Sequence, residues 1–177
     1  MKVVNKPVVS KYVAWVYGIM VAFISALIVF FVYAGVFTPM GTGGFLAAIG
    51  VAIVEALLFS ILRSLYSTRY VLEDKELSIK TTKLIGGNKR IPLETIESVE
   101  KTLIPSGIKL FGASFHGGYY KIPNLGRAFL AITNYTDGLL IRAKKKNYII
   151  TPSTPLDFKH ALEQLASQQR PTGMTFP

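Results

Sequence analysis

Two long apolar segments near the start of the chain constrain its fold more than any other feature. Residues 13–36 carry no charged side chain, and residues 45–65 carry only Glu55 and Arg63. A helix needs about 20 mainly apolar residues to cross the hydrocarbon core of a bilayer, and both segments reach that length. Residues 37–44 between them are uncharged and hold one proline and three glycines, which predicts a tight turn. The sequence therefore predicts a helical hairpin that crosses a membrane twice.

Basic residues flank the predicted hairpin at both of its ends, whereas its turn has none. Because short loops rich in Lys and Arg stay on the cytoplasmic side, we expect a cell-membrane protein with both termini in the cytoplasm. The first apolar segment is too long for a signal peptide, so we expect an uncleaved anchor. The flanking residues are Lys2, Lys6 and Lys11 before the hairpin and Arg63, Arg69 and Lys75 after it.

Glu55 is the one acidic residue in the apolar segments, and it lies level with Ser25 if the two helices are antiparallel. An ionisable group at that depth costs about 2.5–3.5 kcal/mol on insertion scales, so it needs a polar partner. Three readings remain: a proton or ion relay, a hydrogen bond inside the hairpin, and a contact with another subunit, which we favour. Small residues allow helices to approach closely. The predicted packing seam consists of Ala48, Ala52 and Ala56.

The remainder of the chain is basic and lacks cysteine. The 177 residues include 20 Lys or Arg and 10 Asp or Glu, for a net charge of +10. Such an excess favours anionic partners, which are lipid head groups or nucleic acid, although it is also typical of cytoplasmic domains of membrane proteins. The absence of cysteine excludes disulfides, a thiolate nucleophile and Cys-ligated metal.

The pattern after residue 67 predicts a sheet followed by one helix. Residues 76–81 alternate polar and apolar side chains as a half-buried strand does, and residues 127–134 and 138–143 are expected to form a hairpin. Residues 157–168 have apolar positions at helical spacing. We therefore predict an α+β membrane protein in which a bent sandwich or barrel of about seven strands is capped by a C-terminal helix. Its predicted parts are a basic leader with the hairpin (1–67, spans about 13–36 and 45–65), a cytoplasmic domain (68–168) and a tail (169–177).

Seven strands followed by a helix is the layout of pleckstrin-homology (PH) domains, and two segments resemble bacterial and archaeal PH-like domains. Residues 69–79, RYVLEDKELSI, resemble the opening strand pair of such domains, and residues 90–99, RIPLETIESV, resemble their I-P-L-x-x-I-x-x-V segment. The resemblance covers residues 68–165 and extends to the preceding two-helix hairpin, which is common in membrane-anchored members. It implies a module for lipid binding, protein binding or oligomerisation, with no catalytic residue shared across the family.

Two basic turns are the candidate lipid contacts. Each basic residue at an anionic membrane surface contributes about 1 kcal/mol, and the predicted hairpin keeps the domain near the membrane. The basic arrangement typical of inositol-phosphate pockets is not clearly present, and no recognition helix accompanies the charge, so we do not expect nucleic acid as a partner. The predicted head-group contacts are Lys89, Arg90, Arg142, Lys144, Lys145 and Lys146.

No motif indicates catalysis, a metal or a cofactor. The two histidines, His116 and His160, show no H-x-x-x-H spacing, and no serine lies in a G-x-S-x-G context. The sequence therefore favours a non-enzymatic, membrane-anchored PH-like scaffold or binding module. Its expected partners are anionic lipids and other membrane subunits or further copies of itself, and its expected role is that of an accessory or oligomeric subunit. The alternative is a small ion or proton transport component that uses Glu55.

Overall fold

The computed structural model describes residues 2–112, 116–144 and 146–169. These residues divide into two compact units. Residues 11–63 form the helical unit, and residues 2–10 and 64–169 form the sheet unit. Helix α2 belongs to both, because its last turn is part of the sheet unit.

The helical unit is a hairpin of two apolar helices, α1 (Lys11–Phe37) and α2 (Thr42–Ser67). Both helices are long and apolar enough to cross a membrane, and little of their surface is buried. At 1.5 Å per residue, each extends about 40 Å, which exceeds a hydrocarbon core of about 30 Å. The turn between them includes Pro39 and Gly41, and Gly41 adopts a left-handed φ of +47°. Each predicted span lies within one of the two helices.

The two helices come closest at glycines near the turn. A Cβ atom at Gly44 would lie 2.6 Å from the backbone nitrogen of Gly35, so the close approach requires glycine. Of the predicted seam, Ala48 is buried, whereas Ala52 and Ala56 are exposed in the hairpin. The reason is geometric, because steps of four residues rotate about 40° around a helix while contacts between helices need alternating steps of three and four. Ala52 and Ala56 therefore keep much of their surface exposed in the hairpin.

The described residues of the sheet unit form ten strands and one helix. The predicted architecture of apolar helices, a sheet-rich region and a C-terminal helix is confirmed. The strands are β1 (Val3–Asn5), β2 (Arg69–Leu72), β3 (Glu76–Lys80), β4 (Lys89–Pro92), β5 (Ile96–Thr102), β6 (Ile108–Phe111), β7 (Gly117–Ile122), β8 (Gly126–Ala131), β9 (Gly138–Ala143) and β10 (Lys146–Ile150), and the helix is α3 (Pro155–Gln169). Short 3₁₀ turns at Lys83–Ile85 and Leu93–Thr95 flank β4.

The strands form two sheets, with the orders β1-β2-β3-β4 and β5-β9-β10-β8-β7-β6. Neither order returns to its first strand, so the described strands do not form a closed barrel. Helix α3 packs against β5, β9 and the 3₁₀ turn that follows β4. One apolar core includes side chains from both sheets and from α3, among them Tyr70, Leu77, Ile79, Ile91, Phe129, Ile141, Ile150, Phe158 and Leu162.

The predicted hairpin between β8 and β9 is wrong. Strand β10 lies between them, antiparallel to β9 and parallel to β8, with Tyr148 opposite Phe129. The chain leaves the sheet after β8, where the Thr133 amide donates to Thr151 Oγ1 and Asn134 Oδ1 accepts the amide of Asp137. These side-chain contacts satisfy backbone groups that a two-strand hairpin would pair directly, which allows β10 to take the central position.

The basic leader forms a strand that the sequence analysis did not predict. Strand β1 pairs with β2 and extends the first sheet at its edge. The side chain of Asn5 accepts the Ser153 amide at 2.9 Å, and the Ser10 amide donates to the Thr133 carbonyl at 3.0 Å. The leader is thus attached to the sheet unit through β2 and through the segments that follow β8 and β10.

Candidate functional site

Basic residues from two separate segments line one cleft of about 380 Å³. Strand β4 contributes Arg90, the turn after β9 contributes Lys144, and the start of β10 contributes Lys146. Lys145, predicted with them, lies outside the described residues. The other lining residues are uncharged: Ile91, Pro92, Thr95, Ala143 and Tyr148.

A backbone hydrogen bond connects the two segments. The amide of Lys144 donates to the carbonyl of Thr95 at 3.0 Å, which fixes the β9–β10 turn against the 3₁₀ turn after β4. Lys144 adopts a left-handed φ of +48°, an uncommon conformation for a residue with a side chain. The cleft therefore depends on a contact between segments about 50 residues apart in the chain.

A second cleft of about 340 Å³ adjoins the first, because Lys146 and Tyr148 line both. Its other walls include Arg127 and the rings of Tyr119 and Phe129. The Arg127 guanidinium lies 4.7 Å from the centroid of the Tyr119 ring. Stacking of this kind restrains the long side chain and favours its planar donors for recognition of carboxylate or phosphate.

Lys89 is half-buried beside two aromatic rings of the six-stranded sheet. Its ammonium lies 5.0 Å from the ring centroid of Phe129 and 5.3 Å from that of Tyr119. Because side chains alternate along a strand, Lys89 shares the face of Ile91 while Arg90 occupies the other face. Lys89 therefore lies next to two rings that line the second cleft, although it is not itself among the lining residues.

A third cleft, of about 250 Å³, continues from Tyr119 to Lys83 and Phe111. Glycines form its floor, and a Cβ atom at Gly118 would collide with the carbonyl of Phe111. Gly118 also has a φ of +110°, so both space and backbone conformation select glycine there. We call the three adjoining clefts the basic groove, defined by its lining cations Lys83, Arg90, Arg127, Lys144 and Lys146.

No aspartate or glutamate is among the described residues that line the basic groove. Arg90 does form an ion pair with Glu76, but the Nε–Oε1 distance is 3.8 Å and the arginine side chain is 79% exposed. An exposed pair of that length contributes little, so it leaves the positive potential of the groove largely intact. The groove can therefore accept anionic groups such as phosphate.

Two arginines differ from the sequence expectation. Arg142 does not line the groove, because Ala143 points into the core and Arg142 therefore points to the opposite face, 3.5 Å from Glu100. Arg127 was not predicted, although its spacing of two from the buried Phe129 assigns both to one face. Arg127 reaches the groove because β8 lies beside β10, whereas the sequence predicts that β8 pairs with β9.

In the helical unit, the hydroxyl of Ser25 donates to Glu55 Oε1 at 2.6 Å. Both residues are half-buried on the facing sides of α1 and α2. Glu55 therefore has a polar partner within its own hairpin, which is one of the three readings left open by the sequence.

His116 is buried and is not among the residues that line the groove. Its Nδ1 lies 3.1 Å from the hydroxyl of Tyr135, and burial, together with the Lys109 ammonium, lowers the pKa of His116 to about 4. His116 is therefore neutral at physiological pH. Within the described part of the chain, no group of three or more His, Asp or Glu side chains could hold a metal ion.

The family model of the bacterial PH domain matches residues 68–166, from just before β2 into the last turns of α3. The matched region contains every residue that lines the basic groove. A comparison with curated proteins gave no match, and neither did a comparison with solved structures.

Proposed function

The chain belongs to the bacterial PH domain family, and from this premise we propose that it is a membrane-anchored binding module whose basic groove holds anionic lipid head groups. PH-like domains are generally non-catalytic binding modules that commonly bind lipids or proteins. The observation that carries the proposal is the groove itself, in which cations from β4, β8 and the β9–β10 turn line adjoining clefts without a carboxylate among the described lining residues.

The apolar surface of the helical unit supports the membrane anchor. Phe23, Val29 and Phe30 of α1, and Ile49 and Ile53 of α2, are each more than half exposed. Soluble monomers rarely expose apolar patches larger than a few hundred Å², whereas a bilayer would cover this surface. Only Thr68 separates α2 from β2, so the chain itself tethers the sheet unit at the membrane surface. The positive-inside rule supports cytoplasmic termini.

The charge of the groove supports head groups as its ligand. Arg90, Arg127, Lys144 and Lys146 would together contribute about 4 kcal/mol at an anionic surface, at about 1 kcal/mol each. The proposed helical anchor already concentrates the sheet unit at the membrane, so even this modest energy is enough to orient it. The same groove chemistry would suit a phosphate group of a soluble molecule less well, because a free ligand must also offset the entropy of association.

We further propose that the protein is an accessory or oligomeric subunit of a membrane complex. Ala52 and Ala56 support this role, because they are small, lie four residues apart and are exposed in the hairpin. Small residues at such positions let a further membrane helix approach closely. Ala52→Leu/Ala56→Leu should then lower the mass of the complex measured in mild detergent, and an unchanged mass would contradict this role.

Ion or proton transport through Glu55 is the alternative function. The Ser25–Glu55 hydrogen bond supports a structural role instead, because it satisfies the carboxyl within one hairpin. Glu55→Gln retains a hydrogen-bond acceptor but not the titrating group. It should leave head-group binding unchanged, whereas loss of ion flux in reconstituted vesicles would favour transport.

Amine labelling of the full chain in lipid nanodiscs tests the head-group proposal. Lys144 and Lys146 should react more slowly in discs that contain anionic lipid than in zwitterionic discs, and high salt should restore the rate because it screens the contact. Lys159 of α3 is the matched control, since it pairs with Glu163 and does not line the groove. Equal labelling of Lys144 and Lys146 in both lipids would refute the proposal.

A further inference from the structure

Strand β6 presents large apolar side chains to solvent at the edge of the six-stranded sheet. Ile108 is 72% exposed and Phe111 is 68% exposed. Ile108 pairs with Lys121 and Phe111 pairs with Tyr119, so these four side chains share one face of the β6–β7 ladder. Lys121 in turn pairs with Arg127 of β8. We call these five residues the β6 rim.

The segment of the chain that carries the β6 rim is basic. Residues 101–136 contain no aspartate or glutamate, but they contain four Lys or Arg residues. Soluble surfaces usually intersperse both signs and keep large apolar side chains off exposed edge strands. An anionic bilayer has negatively charged groups at its surface and an apolar interior. Exposed apolar side chains next to the cations Lys121 and Arg127 complement such a surface.

A second copy of the chain is a poorer fit to the rim. Antiparallel pairing of β6 with another β6 about its centre would bring Lys109 near its own counterpart, and like charges across a strand pair are destabilising. The ladder is also irregular between Lys109 and Phe111, and Gly112 follows with a φ of +119°. Bulges and lysines of this kind blunt an edge against strand addition, so the side chains and not the backbone form the contact.

The rim continues the basic groove. Phe111 and Tyr119 line the third cleft, and Arg127 lines the second. We propose that Ile108 and Phe111 insert into the interface of an anionic bilayer while Lys121 and Arg127 contact the phosphate groups of the surrounding lipids. This inference rests on the proposed function and adds an apolar anchor to the electrostatic contact.

Tryptophan fluorescence in nanodiscs tests the insertion. The chain has one tryptophan, so Trp15→Phe gives a silent background for Phe111→Trp. Lipids with brominated acyl chains quench a tryptophan that reaches them. Phe111→Trp should therefore lose emission in brominated anionic discs relative to unbrominated ones, and Ile108→Trp should do the same, which guards against a folding defect in either variant. Leu156→Trp is the control, because Leu156 of α3 is 57% exposed and lies outside the rim.

Emission from Phe111→Trp and Ile108→Trp that bromine leaves unchanged, as for Leu156→Trp, would overturn the inference. Tryptophan emission that changes only when two copies share a disc, and not with bromination of the lipid, would also overturn the inference and would make the rim a contact between copies. The lysine labelling described above separates this failure from that of the proposed function. If Lys144 and Lys146 are protected from labelling but neither tryptophan is quenched, only the proposed insertion of the β6 rim is refuted. If the lysines are not protected and the tryptophans are not quenched, both proposals are refuted.

Discussion

Tyr70→Phe should lower the free energy of unfolding of the sheet unit by about 1–3 kcal/mol. The Tyr70 hydroxyl donates to the Ala131 carbonyl at 2.6 Å and accepts the Thr151 amide at 3.2 Å, and all three residues are fully buried. Each hydrogen bond contributes about 0.5–1.5 kcal/mol net, and phenylalanine leaves both backbone groups without that partner. The ring remains, so its packing against Phe158 is preserved. The bonds connect β2 to the ends of β8 and β10, which carry much of the basic groove.

Hydrogen exchange of the full chain in nanodiscs measures this loss. At about 1.4 kcal/mol per factor of ten, exchange of peptides from β8 and β10 should accelerate on the order of 10- to 100-fold. Tyr66→Phe is the control, because that side chain is largely exposed. Exchange of Tyr70→Phe at the wild-type rate would refute the reasoning.

The same residue gives a prediction for alkaline pH. Burial raises the pKa of Tyr70 to about 12 from 10.0, against the smaller opposing effect of its bonds to Thr151. Because the unfolded chain releases this proton first, wild type should lose stability as pH rises from about 10 towards 12. Tyr70→Phe has no hydroxyl to titrate, so it should not lose stability in this way. Denaturant titrations should therefore show that the difference in unfolding free energy between wild type and Tyr70→Phe narrows from about pH 10 towards pH 12. A difference that stays constant over this range would contradict the raised pKa of Tyr70.

Three further changes test other parts of the structure. Gly44→Ala should destabilise the hairpin by roughly 1–3 kcal/mol in thermal unfolding in detergent, because the added methyl group meets the backbone of α1. Gly50→Ala is the control, because its methyl group meets open space and should leave the melting temperature unchanged. Equal melting temperatures for the two variants would contradict the packing of α1 on α2. The folded pKa of His116, about 4, lies below its ordinary 6.5, so wild type should lose stability as pH falls through this interval. In denaturant titrations, His116→Gln should remove this loss of stability at low pH. A pH dependence of stability equal to that of wild type would contradict the prediction. Arg142→Gln should leave labelling of the groove lysines unaltered, because Arg142 faces Glu100; altered labelling would link that face to lipid.

Local patterns in the sequence predicted most of the elements. The uncharged segment 13–36 lies within α1, and the alternation of residues 76–81 corresponds to β3. The apolar spacing at residues 157–168 corresponds to α3. These features depend on periods of 3.6 and 2 within one segment, so they are readable without knowledge of the tertiary structure. The resemblance to PH-like domains is confirmed by the family match.

Contacts between distant segments were predicted less well. The leader strand β1 is only three residues long, and its partner β2 lies more than 60 residues further along the chain. Strand β10 separates β8 from β9 because side-chain hydrogen bonds redirect the chain after Ala131, which no periodicity reveals. In the hairpin, Ala48 of the predicted seam is buried, but the close approach of Gly44 to Gly35 was not predicted from the sequence.

The candidate site was predicted in part. Lys89, Arg90, Lys144 and Lys146 were selected from the sequence because they cluster in turns, and the structure brings the last three to one cleft. Charge clustering does not report the face on which a side chain lies, so Arg142 was included although it faces Glu100. Arg127 stands alone in the sequence, and its position beside Lys146 follows only from the parallel pairing of β8 with β10.

Photochemical cross-linking to lipid tests the central claim most directly. The full chain would be incorporated into nanodiscs that contain an anionic phospholipid with a photoreactive head group, and the adducts would be mapped by mass spectrometry. The account predicts adducts concentrated in residues 89–92 and 143–148, and it predicts few adducts with a zwitterionic lipid that carries the same photoreactive group. Adducts concentrated around Glu100 and Arg142 or on α3, or equal yields with both lipids, would contradict it.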